Sequence, residues 1–154
     1  MKPHEQRART RIETIAYLTE ACKMFTQGLN KRDFDASSPH WQAVADSFEA
    51  DFDHPVLGRV RHNLPGTLEV LRELASKFPT HESRVSNVDV RLNGEKGQAE
   101  VFAVVDSYGS PPGQVRQSLV TQQWERIDGR WLCTRYSGVR GMADGAIAEW
   151  WGTS

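Results

Sequence analysis

Two residues in this sequence have the chemistry and the setting to move protons. Asp106 follows the apolar run Val101 to Val105 and, at a period of two, shares a face with Phe102, Val104 and Tyr108. A carboxylate in such surroundings is poorly solvated and can serve as a general acid or base. Its competing role is that of a strand-end carboxylate reaching solvent or a serine hydroxyl. His54 shares a face with Phe48, Ala50 and Phe52, and a neutral imidazole among aromatic rings can carry a proton near neutral pH. Its competing role is a hydrogen bond to a backbone group beside Pro55. Asp53 points the other way, towards water. Gln122 and Tyr136 can each hold a carbonyl or enolate oxygen by hydrogen bonding, or can satisfy a neighbour in a core.

Other chemistries are excluded or disfavoured. The two cysteines, Cys22 and Cys133, form no CxxC pair and have no histidine at metal spacing, which predicts two reduced buried thiols and no metal site. Nineteen Lys and Arg against 20 Asp and Glu give a net charge of -1, whereas a general nucleic-acid binder carries a basic excess. No run approaches the roughly 18 apolar residues of a membrane span. The basic, polar start lacks the apolar core of a secretory signal. These features predict a cytoplasmic protein with neither nucleic-acid nor membrane partner.

The elements that must position these residues follow from periodicity. Ile12, Ile15, Leu18, Cys22, Phe25 and Leu29 form one helical stripe, predicting a helix over 10–31. Ser38-Pro39 starts a short helix over 39–44. Residues 48–54 alternate strictly and read as a half-buried strand ended by Pro55. Leu68, Leu71, Leu74 and Phe78 mark a helix over 65–78, stopped by Pro79. Strands are predicted over 83–92, 98–108, 115–127 and 130–137, with Asn93-Gly94 and Asp128-Gly129 as turns. Helices first and a meander after give an α+β class, with about three helices on one face of a curved antiparallel sheet. Parity groups Ser118, Val120, Gln122 and Trp124 on one face, and Leu132, Thr134 and Tyr136 on another. At 154 residues the chain allows one domain. Residues 10–140 are expected to form it, 1–9 a flexible basic start, and 141–154 a tail. Ile147, Trp150 and Trp151 make that tail too apolar to lie in water, so it is expected to pack on the body or on a partner subunit.

The order of these elements, with Asp53-His54-Pro55, Leu64-Pro65-Gly66, Phe78-Pro79 and the hairpin Gln123 to Trp131, resembles the nuclear transport factor 2-like superfamily, in particular its SnoaL-like branch. The Trp-x-Arg-x-Asp-Gly-x-Trp hairpin is also similar to the association domain of calcium/calmodulin-dependent kinase. The resemblance covers residues 10–140. It implies a cone whose curved sheet wraps the helices and leaves a pocket at the wide end. Register carried over through Trp124 and Tyr108 implies that Asp106, Gln122 and Tyr136 face the pocket. Asp106 and His54 would then be catalytic. Phe52, Val104, Trp124 and Tyr108 would shape the cavity, and Trp41 its rim. The implied activity is that of a cofactor-free isomerase, cyclase or dehydratase on an apolar oxygenated small molecule, such as a polyketide or terpenoid intermediate of secondary metabolism. A pericyclic cyclase that uses pocket shape, and a non-catalytic ligand-binding or dimerisation module, are the alternatives. Asp89 and Arg91, spaced like part of an epoxide-hydrolase site, lie opposite apolar Val88, Val90 and Leu92 and are expected in solvent. The paired Tyr and paired His of scytalone-type dehydratases are not matched. The resemblance also implies a homodimer through the outer sheet face, with Leu119, Thr121, Gln123, Glu125, Trp131, Cys133 and Arg135 in the interface.

Overall fold

A computed structural model describes residues 3–54 and 58–140, and side chains within 10–51 and 59–138. Helix α1 spans Pro3–Ala21 and α2 spans Met24–Asn30. A 3-10 turn, Pro39–Trp41, precedes strands β1 (Val44–His54) and β2 (Gly58–His62). Helix α3 (Leu64–Lys77) leads into β3 (Glu82–Asn93), β4 (Gln98–Tyr108), β5 (Val115–Ile127) and β6 (Arg130–Arg140). The strands form one curved sheet in the order β2-β1-β6-β5-β4-β3. The class is α+β, as expected. The sheet is mixed rather than antiparallel, because β1 runs parallel to β6.

Three local differences from the expected elements have physical causes. The first helix begins at Pro3, inside the stretch expected to be flexible; proline suits the opening turn of a helix. The same helix breaks after Ala21, so the stripe over 10–31 belongs to two helices. At the break the Cys22 carbonyl accepts a hydrogen bond from Gln122 Nε2 at 3.1 Å. Strand β2 holds one apolar residue, Val60, too few to show a period in sequence. Cross-strand ion pairs support it instead: Arg61 lies 3.1 Å from Asp51 and 3.2 Å from Glu49. Arg135 of β6 reaches Asp51 at 3.2 Å. Burial pushes the Asp51 carboxyl up, but these two guanidinium groups outweigh it and leave the carboxyl below its usual range.

The inner face of the sheet, the one the helices cover, is laid out in rungs. Leu92, Ala99, Trp124 and Cys133 form one rung, and Val90, Val101, Gln122, Tyr136 and Ala50 the next. Val88, Ala103, Val120 and Gly138 follow, then Val85, Val105 and Ser118, then Ser83, Ser107 and Arg116. Bulges at Ser86 and Thr134 keep the rungs aligned by skipping one residue each. At the Trp124 end, Leu18, Cys22, Phe25, Trp41 and Phe48 fill the space against the sheet. Gly28 makes this packing possible, since a Cβ there would come 2.5 Å from the Trp41 ring. A second, smaller cluster, Ala103, Val105 and Val120, lies further along the inner face.

Candidate functional site

The rungs decide which predicted site residues meet. Gln122, Trp124 and Tyr136 do face inward together. Asp106 does not. On β4 the residues opposite Gln122 and Trp124 are Val101 and Ala99, and the register runs without a bulge to Tyr108. Phe102, Val104, Asp106 and Tyr108 are therefore on the outer face. The reason is steric: the helices approach closely, and the small side chains Ala99, Val101 and Ala103 fit beneath them. The large rings go outside, where the Arg91 guanidinium lies 4.9 Å from the Phe102 centroid and that of Arg84 lies 4.9 Å from the Tyr108 centroid. Asp106 lies between Arg84 of β3 and Gln117 of β5 in register, and one carboxylate oxygen is buried without a hydrogen-bond partner. Val104 lies opposite Leu119. Asp89 and Arg91 form an exposed ion pair at 3.3 Å, on the solvent side as expected.

The inward residues divide into scaffold and candidate site. Gln122 is fully engaged: its amide nitrogen donates to the Cys22 carbonyl, and its oxygen accepts from Trp124 Nε1 at 2.9 Å. It is a strut between sheet and helix break, so the oxygen-holding role does not suit it. Trp124 is buried beside it as core. Trp41 is not a rim residue. It is buried, packs edge-on to Phe25 at 5.8 Å, and donates from Nε1 to the Asp33 carbonyl. Cys133 is also inward and buried, because the bulge at Thr134 reverses the parity of the hairpin. Trp131 likewise packs inward and Leu132 outward. Cys133 and Trp131 therefore leave the expected outer interface. Tyr136 is half-buried against Phe25, ring centroids 5.1 Å apart, and burial pushes its phenol well above the ordinary value. The side chains of Phe52 and His54 lie outside the described residues; their backbone completes β1 opposite Val60 and Gly58. Residues 141–154, and with them the tail, also lie outside the described residues.

The far end of the inner face is polar, and sequence reasoning missed it. His81 is 3% exposed. Its Nδ1 lies 2.6 Å from Ser110 Oγ and its Nε2 2.8 Å from Ser83 Oγ. Burial, then the nearby Arg32 cation, lowers its pKa to about 4, so the ring is neutral at physiological pH. The β3 start is fixed by Asn30 of α2, which donates to the Ser83 carbonyl and accepts from the Ser83 amide. Gly109 lets the β4–β5 loop close over this corner: its φ is +79°, and a Cβ would come 2.6 Å from the Thr80 carbonyl oxygen. Arg116 completes the last rung. It is 3% exposed, donates to Gln114 Oε1 at 2.7 Å, and keeps a buried Nε–H with no acceptor. The signal was in the sequence: Arg116 continues the stripe Ser118, Val120, Gln122, Trp124 by one step of two.

No family model matches the sequence, and no curated protein matches it. Solved structures do match the fold. The chain is similar to hexachlorocyclohexane dehydrochlorinase LinA-type3 from Novosphingobium barchaimii, at 15% identity and TM-score 0.67, over 85% of this chain and 88% of that one. A scytalone dehydratase-like protein from Novosphingobium aromaticivorans matches at 14% identity and TM-score 0.67, over 88% and 89%. A nuclear transport factor 2-like protein of unknown function from Pseudomonas putida matches at 16% identity and TM-score 0.60, over 80% and 83%. The fold of this chain is thus the nuclear transport factor 2-like fold, as the sequence resemblance implied. A fold shared at such identities does not carry an activity with it.

Proposed function

We propose that this protein is a cofactor-free enzyme that moves a proton within an apolar, oxygenated small molecule, acting as an isomerase, cyclase or dehydratase in the cytoplasm, on intermediates of secondary metabolism. Tyr136 carries the proposal. It stands on the inner face beside the apolar floor of Val88, Ala103 and Val120, with its phenol held protonated by burial. A protonated phenol in apolar surroundings is a donor for an oxygen that gains negative charge. The proton carrier is His54, named on sequence grounds. Asp106 has no part, because it faces outward. In an isomerisation, His54 takes the proton α to the carbonyl, Tyr136 donates a hydrogen bond to the dienolate oxygen, and the same proton returns at the γ carbon. That two proteins of this fold are named for elimination or dehydration is consistent with such chemistry and is a statement about those proteins.

Two probes test the proposal: cyclohex-3-enone for isomerisation and 3-hydroxycyclohexanone for dehydration, each giving the conjugated enone read by absorbance. Acceleration over buffer is expected with at least one. Tyr136→Phe should cost about 10²–10³-fold, and His54→Gln about 10²–10⁴-fold. Folded protein that accelerates neither probe would contradict the proposal and favour ligand binding without catalysis. We further propose a homodimer through the outer face, where exposed Leu119 lies opposite Val104 and exposed Val115 opposite Tyr108. Light scattering giving the monomer mass would remove it.

A further inference from the structure

Among the described residues, Arg116 is a buried cation without a counter-ion. Its partner is the neutral side chain of Gln114, and among the described residues no carboxylate pairs with it. Its Nε–H is buried and unbonded. Burying a guanidinium costs several kcal/mol unless an anion and hydrogen bonds compensate. Apolar residues of similar volume often serve as well or better at buried ionic positions, so stability is a weak reason for a guanidinium here. Its neighbours do not supply the missing charge either. Ser107 is opposite it across the β4–β5 ladder, Ser83 lies one strand further, and His81 beyond them is neutral. Among the described residues the corner is therefore cationic, rich in hydroxyls and short of one anion. It lies at the end of the same inner face as Tyr136, with the apolar rungs of Val85, Val105, Val88, Ala103 and Val120 between them.

We propose that Arg116 is the anchor of a carboxylate subsite, and that the protein's ligand is an apolar small molecule carrying a carboxylate at one end and its reacting oxygen at the other. The guanidinium presents a planar fork of donors that matches the two oxygens of a carboxylate. The Ser107 hydroxyl is placed beside it on the adjacent strand. The apolar rungs would lie along the ligand body, and Tyr136 would meet the oxygen. This assignment rests on the inner-face site proposed above and narrows its ligand class; it needs no particular reaction.

Calorimetry with cyclohexanecarboxylate and its neutral analogue cyclohexanecarboxamide tests the subsite. The wild type should bind the carboxylate about tenfold or more tightly than the amide, the usual margin of a charge-assisted pair. Arg116→Met should abolish that margin, and Arg116→Lys should restore part of it. If Arg116→Met does not fold, thermal shift on the wild type decides alone: the carboxylate should raise the melting temperature and the amide should not. Equal affinity for the two compounds, no binding of either, or a margin that survives in Arg116→Met overturns the proposal. The neutral probes cyclohex-3-enone and 3-hydroxycyclohexanone report on the activity separately. Turnover without a carboxylate margin removes the subsite and leaves the enzyme, and a margin without turnover does the reverse.

Discussion

Gln122 and Arg116 stand on the same face of β5, both buried, and only one of them is satisfied. Gln122 has its amide nitrogen on the Cys22 carbonyl and its oxygen on the Trp124 indole, within the main core. Among the described residues, Arg116 has one neutral partner and one orphan donor, with serines of the neighbouring strands beside it in its rung. Buried polar groups are normally paired, so one that is not calls for an explanation. Completed pairing at the Trp124 end marks structure; missing pairing at the Arg116 end marks a place built for something from outside. Residue type alone separates these two ends poorly, because both carry amides, aromatics and hydroxyls. The hydrogen-bond ledger separates them.

The contrast can be broken at either end. The largest effect belongs to the packed end. Trp124→Ala should destabilise by about 3–5 kcal/mol, from lost burial and a cavity, and it also orphans the Gln122 oxygen. Urea denaturation measures this, and a loss under about 1 kcal/mol would show that the Trp124 end is not the main core.

A second effect sharpens the polar end. His81 titrates at about 4 when folded against 6.5 unfolded. The unfolded chain therefore binds more protons between those values, and stability falls as the pH drops from about 6.5 towards 4. The full loss is on the order of 3 kcal/mol. His81→Gln should start from a lower stability but lose this pH dependence. Urea midpoints at pH 7 and pH 5 test it, and an unchanged slope in the variant would show that His81 is not the group responsible.

The smallest effect is expected on the outer face. Asp106→Asn should change stability by less than about 1 kcal/mol, since its buried oxygen has no partner to lose, and turnover of either enone-forming probe should be unchanged. A hundredfold loss of turnover in the folded variant would return Asp106 to the site.

The sequence was legible wherever periodicity had one answer. The α+β order, the helix over 65–78 and both hairpin turns at Asn93-Gly94 and Asp128-Gly129 follow from stripes and turn residues. Strand β4 had two answers, because both its faces are apolar: Val101, Ala103 and Val105 on one, Phe102, Val104 and Tyr108 on the other. Choosing the larger rings as the interior put Asp106 inside, whereas close-packed helices favour the smaller set. Strand β6 misled for another reason. A bulge at Thr134, held by its hydroxyl donating to the Gln123 carbonyl, shifts the inward positions before it by one, to Trp131 and Cys133, and leaves Tyr136 inward after it. Bulges leave no period of their own. Arg116 was overlooked because a charged residue at a strand start reads as solvated, and burial is the one property its type does not announce.

The most direct test of the site is a crystal structure with cyclohexanecarboxylate bound. The inner-face assignment predicts the ring over Val105 and Val120, with the carboxylate on the Arg116 guanidinium and the ring's far side towards Tyr136. The competing location is the outer groove of about 470 Å³ between Arg91, Glu100, Gln123 and Glu125. Density there, with the Arg116 corner unchanged and empty of ligand, would contradict the account.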